Sequence, residues 1–203
     1  PNSAIWTQLA QLLLKEFDFL TACNSFLAKK HNATLIPHGR SKSLAKNAIL
    51  VRDSTRKSYG LLRTDHVVLF CGTIRRHKGL LEIAYALSEI NDPNIILVIV
   101  GSFGLPDISE ELFAIQNLRI KYLGVHPFSD VLAINAIADE VILFQDISSS
   151  ICLSQTPAKL TDALAVGTRV FISDLPSVHD FIEAGVAIAL PGNANSSLTS
   201  FLR

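Results

Sequence analysis

Residues 72–79 read GTIRRHKG, so that three fixed cations and a histidine lie between Gly72 and Gly79. Lysine acts as a mobile point charge and arginine can bind an anion through two N–H groups, so this composition suits a phosphate or diphosphate. A solvated basic turn is the alternative interpretation. Because the glycine spacing matches neither the GxGxxG pattern of dinucleotide-binding folds nor a P-loop, the segment disfavours a dinucleotide-dependent dehydrogenase.

A second candidate anion site is the segment 155–167, which reads QTPAKLTDALAVG. Thr156 is predicted to cap a helix and Pro157 to occupy its first position, which would direct free N–H groups and the positive end of the helix dipole at an anion. Asp162 lies about a turn and a half into this helix. There its carboxylate could accept hydrogen bonds from vicinal hydroxyls, as an acidic residue does for ribose in dinucleotide folds. An ordinary surface aspartate is the alternative.

Two further features each have a functional and a purely structural interpretation, and the cysteines indicate no ligand. The glycines at 101 and 104 let the backbone approach a ligand or simply permit a tight turn. His126 is a candidate proton donor or an exposed loop histidine. The three cysteines lie far apart and show no metal-ligand spacing, which indicates neither a disulfide scaffold nor a zinc site: Cys23, Cys71 and Cys152.

The elements that must position these residues alternate along the chain from residue 66 onward. Apolar, β-branched runs predict strands at 66–71, 94–100, 118–123, 140–144, 168–172 and 186–190. Apolar residues at helical spacing predict helices at 79–90, 108–116, 129–138, 158–166, 178–184 and from 194 onward. The sequence therefore predicts an α/β fold with a doubly wound, Rossmann-like parallel sheet, whose ligands bind in the loops that follow the strands.

The first 60 residues do not continue this alternation. They predict a helix over 3–16, an apolar stretch over 17–23, a short helix over 25–30, a strand over 33–37 and a polar, basic linker over 39–46. We place a domain boundary at 37–40, with residues 1–40 as the last elements of an N-terminal domain and 41–203 as a complete second domain. Because the chain starts at Pro1 and contains no methionine, we expect it to be an excised or processed segment.

Composition excludes several classes of protein. The 203 residues carry 18 Lys and Arg against 18 Asp and Glu, and this zero net charge, without any run of like charge, disfavours nucleic-acid binding. Mean hydropathy is high at +0.35, but the longest strictly apolar run, 95–100, is far below the roughly 18 residues that a transmembrane helix needs. The apolar surplus is assigned to the core, and we expect a cytoplasmic protein without a transmembrane segment.

An ordered set of motifs resembles a known family. VVLFCGTIRRHKG at 67–79, IILVIVG at 95–101, IKYLG at 120–124 and QTPAKLTDALAVG at 155–167 are followed by a strand at 168–174. This succession resembles the C-terminal, nucleotide-sugar-binding half of GT-B glycosyltransferases, in the retaining group 1 or family 4-like class. The upstream segment 18–40, with NSFL and LIPHG, resembles the end of the N-terminal domain in that family. The resemblance covers nearly the whole chain.

The resemblance implies a role for individual residues. Arg75 and Lys78 would be the catalytic cations, which hold the diphosphate of the donor and offset the negative charge that grows on it as the glycosidic bond breaks. Asp162 would receive the ribose hydroxyls, the amides around 156–159 would lie against the β-phosphate, and the loop 148–154 would face the sugar. The implied donor-binding residues are Gly72, Thr73, Gly101, Gly124, Val125, Ser154, Thr156, Pro157, Ala158, Lys159 and Asp162, of which Gly124 and Val125 would border the base.

The chain departs from the family pattern at one position. Members commonly carry an acidic residue eight positions before the one that binds ribose, and it contacts the sugar. Here that position is Ser154, and the ribose position holds Asp162 where glutamate is usual. This departure bears on the identity of the sugar and on activity.

The resemblance implies a transferase that moves a sugar with retention from a UDP- or GDP-linked donor to a sugar, lipid or small-molecule acceptor, as in polysaccharide biosynthesis. No metal ion and no further cofactor are expected, since Arg75 and Lys78 would replace the metal. The acceptor, and any membrane association, would involve the missing N-terminal domain, so we expect these residues alone to bind donor weakly and to turn over nothing. A nucleotide-sugar epimerase and a non-catalytic nucleotide-sugar-binding or assembly module are the alternatives.

Overall fold

The chain divides into two units, residues 1–38 and residues 39–203, and the computed structural model describes residues 12–104, 106–145, 147, 150–191 and 195–202. The first unit contains a 3₁₀ turn at Leu14–Glu16, strand β1 (Thr21–Ala22), helix α1 (Ser25–His31) and strand β2 (Thr34–Leu35), with β1 and β2 paired in parallel. The short helix and the strand predicted here are confirmed. The helix predicted over 3–16 lies mostly outside the described residues, and the assignment of this unit to a further domain stays a prediction.

Six parallel strands form the sheet of the second unit. They are β3 (His66–Cys71), β4 (Ile95–Val100), β5 (Arg119–Gly124), β6 (Glu140–Leu143), β7 (Arg169–Ser173) and β8 (Ile188–Leu190). Their order across the sheet is β5-β4-β3-β6-β7-β8. All six coincide with the predicted strands to within two residues at either end, which confirms the doubly wound, Rossmann-like sheet.

Helices separate these strands along the chain. Those of the second unit are α2 (Lys42–Leu50), α3 (Arg52–Ser58), α4 (Leu80–Ile90), α5 (Pro106–Phe113), α6 (Val131–Ile137), α7 (Ser150–Ser154), α8 (Ala158–Ala165), α9 (His179–Glu183) and α10 (Asn195–Leu202). Two 3₁₀ turns, Arg76–Lys78 and Phe128–Asp130, precede α4 and α6. None of the helices in the described part of the chain is long and apolar enough to cross a bilayer.

Apolar side chains fill both faces of the sheet. Along β4, Ile96, Val98 and Val100 pack into one buried cluster together with residues of α6 and α8. The alternate residues, Ile95, Leu97 and Ile99, pack into a second cluster together with residues of α4. Because successive side chains of a strand point to opposite faces, the run of six apolar residues is what a sheet covered on both sides requires.

Two predictions about the polar segments are wrong. The predicted linker 39–46 overlaps α2, which begins where the Ser41 side chain accepts a hydrogen bond from the Leu44 amide, and which packs through Ala45 and Ala48. The segment that was expected to be a polar loop after β6 contains α7. Burial of Ala45 and Ala48 stabilises α2 although most of its other residues are exposed.

Asp139, directly before β6, connects α3 to the amino end of the sheet. Its Oδ1 accepts hydrogen bonds from Arg52 Nη2 at 2.5 Å and Arg56 Nη1 at 3.3 Å, and its Oδ2 accepts one from the Val67 amide at 2.7 Å. Arg56 is buried, and its Nη2 donates to the carbonyl of Asp65 at 2.5 Å. The carboxylate therefore balances a buried guanidinium and satisfies the amide of the second residue of the central strand.

Removal of this carboxylate should destabilise the fold. Asp139→Ala leaves Arg56 as a buried, uncompensated charge, so we expect the free energy of unfolding to fall by about 3 kcal/mol. The matched control is Asp53→Ala, because the Asp53 side chain is 78% exposed and lies 3.8 Å from Arg63. Urea unfolding followed by circular dichroism measures both variants, and equal midpoints for Asp139→Ala and the control would contradict the assignment.

Candidate functional site

The centre of the sheet is the point at which the strand order reverses. From β3 the chain proceeds outward to β4 and β5 on one side, then returns to β6 beside β3 and proceeds to β7 and β8 on the other. In open α/β sheets, ligands bind in the crevice outside the carboxyl ends of the strands at such a switch point. The loops that follow β3, β4 and β5 and the segment that follows β6 therefore form the candidate site.

The first two of these loops pack closely against each other. The Gly72 amide donates to the carbonyl of Val100 at 2.8 Å, and the Gly101 amide donates to the carbonyl of Gly124 at 2.8 Å. Gly101 has φ +137°, and a Cβ there would collide with the carbonyl of Gly72. Close approach of two loops thus accounts for glycine at position 101 without a ligand.

In the cationic turn after β3, the side chains of Lys78 and Arg76 contact different parts of the chain. Lys78 is half-buried and its Nζ donates to the carbonyl of Thr73 at 2.9 Å. Burial lowers the pKa of Lys78, and repulsion by Arg75 lowers it further. Arg76 instead pairs with Asp107 at 2.7 Å, at the start of α5. Lys78 is therefore the member of the turn that adds its charge to the site, and Arg75 is close enough to repel its amine.

Gly79 connects this turn to the end of β6. Its φ is +68°, and an added Cβ would collide with the carbonyl and the ring of Phe144. Any other residue at this position would force the turn away from the strand, because both the backbone conformation and the available space require glycine. The glycine thus holds Lys78 next to the switch point.

Lys159, in the first turn of α8, brings a second amine to the carboxyl end of β3. Its Nζ lies 4.5 Å from the centroid of the Phe70 ring. Burial lowers the pKa of Lys159 to about 8, and repulsion by Lys78 contributes to this shift. Among the described residues, neither lysine has a carboxylate within ion-pair distance, so the crevice carries an excess of positive charge.

Asp162 lies on the same helix and is buried, with 5% of its surface exposed. Its Oδ1 accepts a hydrogen bond from the Nε of Arg40 in an ion pair. Arg40 also donates from Nη2 to the carbonyl of Ala158 at 3.1 Å. The sequence did not indicate Arg40, because it lies 122 positions from its partner and belongs to no local pattern.

Cys71, the last residue of β3, lies close to the charges of Lys159 and Asp162. Burial raises the pKa of its thiol, Lys159 opposes the increase and Asp162 adds to it.

The structure therefore brings together Lys78, Lys159 and Asp162, which the sequence assigned to two separate segments. Gly72, Gly101 and Gly124 meet at the ends of β3, β4 and β5, and Val125 lies beyond them with 72% of its surface exposed.

The predicted cap of α8 is wrong. The helix begins at Ala158 with Pro157 as its N-cap residue, and no side chain caps it. The Thr156 hydroxyl donates to the carbonyl of Ser177 at 3.0 Å instead. Ser154 ends the short helix α7 and is half-buried. The hydroxyl of the residue before the N-cap is therefore used by a contact 21 positions further along the chain and not by the helix.

A metal centre has no ligand set in the ranges that the structure describes. No group of three histidine, cysteine, aspartate or glutamate side chains there is arranged to hold an ion. His126 lies near Asp130, with 3.7 Å between Nδ1 and Oδ2, and its ring packs edge-on against Tyr59. Among the described residues, the charged groups identified near the switch point are Lys78, Lys159, Arg75 and Asp162, of which Asp162 is already paired.

The sequence of residues 51–199 matches the family described as Glycosyl transferases group 1. This match covers more than half of the chain. No curated protein matches the chain.

Solved structures share the fold. HepE from Anabaena, in complex with UDP and glucose, has a TM-score of 0.74 at 19% identity and aligns with 96% of this chain and 55% of its own. A glycosyltransferase from Rickettsia africae has a TM-score of 0.71 at 17% identity, covering 100% of this chain and 56% of its own. A sucrose-phosphate synthase from Thermosynechococcus elongatus has a TM-score of 0.71 at 15% identity, covering 96% and 50%. The chain spans about half the length of these proteins.

The buried amine of Lys159 should make stability depend on pH. Between pH 8 and 10.5 the unfolded chain retains a proton that the folded chain has lost, so the free energy of unfolding should rise with pH in this window. Lys159→Met abolishes this contribution. The free energy of unfolding of Lys159→Met minus that of the wild-type chain should therefore decrease by up to about 3 kcal/mol as the pH is raised from about 7 to 10.

Urea unfolding at several pH values measures this difference. The matched control is Lys57→Met, because Lys57 is exposed and lies on α3. We expect the difference between Lys57→Met and the wild-type chain to be independent of pH. A pH-independent difference for Lys159→Met as well would show that its amine is not the buried cation.

Proposed function

The chain belongs to the glycosyl transferases group 1 family, and we propose that it is the donor-binding half of a transferase that uses a nucleoside diphosphate sugar. The family match and the parallel sheet confirm the resemblance to the C-terminal domain of GT-B glycosyltransferases. The match also favours a transferase over the epimerase that the sequence left open. The observation that carries the proposal is the pair Lys78 and Lys159, which face the carboxyl ends of the central strands without carboxylate partners in the described part of the chain.

Two amines with lowered pKa values suit a diphosphate. When the glycosidic bond breaks, negative charge grows on the leaving diphosphate, and fixed cations in a partly desolvated crevice stabilise it more strongly than water does. Lys78 would bind the diphosphate from the turn after β3, Lys159 from α8, and Arg75 from the rim of the same turn. Each amine would regain on donor binding the favourable electrostatic interaction that burial and repulsion by a neighbouring cation remove in its absence.

The nucleoside would lie towards β4 and β5. We propose that Asp162 accepts hydrogen bonds from the ribose hydroxyls and that Gly124 and Val125 border the base. A Cβ added at Gly124 would have no atom within 4 Å, and Val125 is exposed. The complexes of Anabaena HepE with UDP and with UDP-glucose support a uridine-linked donor.

We propose that acceptor binding involves residues outside this chain, because the chain spans only about half the length of proteins that share its fold. We propose transfer with retention, and the anomer of the first-formed product, observed by NMR with the full-length protein, tests this. Ser154 supplies a neutral group where a carboxylate is common in the family, so contacts to the sugar would be through hydroxyl groups. A non-catalytic module stays the alternative, which absence of turnover with intact donor binding would favour.

Lys78→Ala should weaken donor binding. Loss of one charge-assisted contact to the diphosphate should raise the dissociation constant for UDP-glucose about 10- to 100-fold. Lys57→Ala, which removes an exposed lysine on α3, should leave the dissociation constant unchanged. Calorimetric titration of this chain measures all three proteins. No binding of UDP- or GDP-linked sugars to the wild-type chain, or equal binding by Lys78→Ala, would contradict the proposal.

Donor binding should not require a divalent cation. If Lys78, Lys159 and Arg75 neutralise the diphosphate, the dissociation constant for UDP-glucose should be the same in excess EDTA and in excess Mg²⁺. The same calorimetric titration measures both conditions. A dissociation constant that is about tenfold or more lower with Mg²⁺ would show that a metal ion neutralises the diphosphate instead.

A further inference from the structure

Asp162 is a buried carboxylate whose charge is balanced by a residue from a distant part of the chain. Arg40 lies directly before α2, and its side chain is 19% exposed. A carboxylate that is removed from water needs such a partner, because an isolated buried charge is strongly destabilising. The pair therefore fixes one face of α8 to the segment that precedes α2.

Three hydrogen bonds hold the guanidinium of Arg40 in place. The Nε group donates to Oδ1 of Asp162, Nη2 donates to the carbonyl of Ala158 at 3.1 Å, and Nη1 donates to the carbonyl of Gly39 at 2.8 Å. Arginine commonly binds a carboxylate through both oxygens at once. Here the Nη groups are used by carbonyls, so the guanidinium contacts the carboxylate at one oxygen only.

The second oxygen of Asp162 has no partner in the described part of the chain. Oδ2 receives no hydrogen bond there, and it is not among the described buried side-chain atoms that lack a partner, which are Arg56 Nε, Asn135 Oδ1 and Gln145 Oε1. It therefore retains some contact with solvent although the residue is buried. An accessible acceptor on a fixed carboxylate, close to Lys159 and Cys71, suits a hydroxyl donor of a ligand.

We propose that Arg40 is a positioning residue for the donor: it fixes the carboxylate of Asp162 through Oδ1 so that Oδ2 faces the ribose hydroxyls. This inference rests on the proposed function. A free aspartate rotates about χ1 and χ2, and a site that hydrogen-bonds a hydroxyl discriminates against the analogue without it only when the acceptor is held in position. Arg40 thus acts on the recognition of ribose rather than on the diphosphate.

A comparison of two nucleotides isolates this effect. We use UDP or GDP, whichever the chain binds, and its 2′,3′-dideoxy analogue, and we measure both dissociation constants by calorimetry. The wild-type chain should bind the ribose form about tenfold or more tightly than the dideoxy form. In Arg40→Met this ratio should fall to about one, whereas the dissociation constant for the dideoxy form should stay close to that of the wild-type chain.

Two further variants make the comparison specific. Asp162→Asn should lower the ratio as Arg40→Met does, and the double variant should lower it no further, because both changes remove the same contact. Arg63→Met, which removes an arginine with a 95% exposed side chain, is the control and should keep the wild-type ratio. Circular dichroism verifies that each variant is folded, and Arg40→Lys, which retains the charge, substitutes for Arg40→Met if that variant unfolds.

Each outcome has a distinct meaning. A purely structural role for Arg40 predicts that both nucleotides bind more weakly by the same factor, with the ratio retained, and this would overturn the inference. If Arg40 blocks the site, Arg40→Met should bind the ribose form more tightly than the wild-type chain does, which would also overturn it. Nucleotide binding without ribose discrimination in the wild-type chain would overturn the inference alone. No binding of either diphosphate would contradict the proposed function itself.

Discussion

Excess positive charge at the carboxyl end of β3 is the constraint on which the site depends. Lys78 and Lys159 reach this point from two different elements, and burial lowers the pKa of each; repulsion by Arg75 lowers that of Lys78 further, and repulsion by Lys78 lowers that of Lys159. The one carboxylate on the adjacent face of α8, Asp162, already pairs with Arg40. The folded chain therefore retains a region of unfavourable electrostatic energy, which an anion would relieve. Retention of such energy in a marginally stable fold is a property of functional sites.

The topology of the sheet explains why these charges can meet. β3 and β6 are neighbours although some seventy residues separate them in sequence, because the chain completes β4 and β5 on one side before it returns. Lys78 follows β3 and Lys159 follows β6, so both lysines lie above the same pair of strands. Gly79 permits this approach, because its missing Cβ leaves room for the end of β6. The site is thus a consequence of strand order and of one close backbone contact.

The sequence predicted the elements that are determined by residues close together in the chain. The six strands follow from β-branched apolar runs, and the cations of the turn after β3 could be identified from their composition between two glycines. The amine of Lys159 was not identified, because the resemblance implied a role only for the backbone amides around it. Arg40 could not be identified, because its partner Asp162 lies 122 positions away. The cap of α8 was wrong for the same reason: the hydroxyl of Thr156 finds the carbonyl of Ser177, which is brought near only by the folded chain. Helix α2 was mistaken for a linker because its buried alanines are few.

Asp162 and Ser154 are the two positions at which the chain departs from the pattern of the family that it resembles, and Arg40 contacts the first of them. At the proposed ribose position, an aspartate is shorter than the glutamate that is usual in the family, and the Arg40 side chain binds it through a single oxygen. At the proposed sugar position, Ser154 stands where the family commonly has a carboxylate, so the proposed site has one negative charge fewer beside Lys78 and Lys159. Both changes make the crevice more positive, because one carboxylate is absent and the other is neutralised. Such a site would bind the donor mainly through its diphosphate, and it would recognise the ribose only as well as Arg40 keeps Asp162 in place.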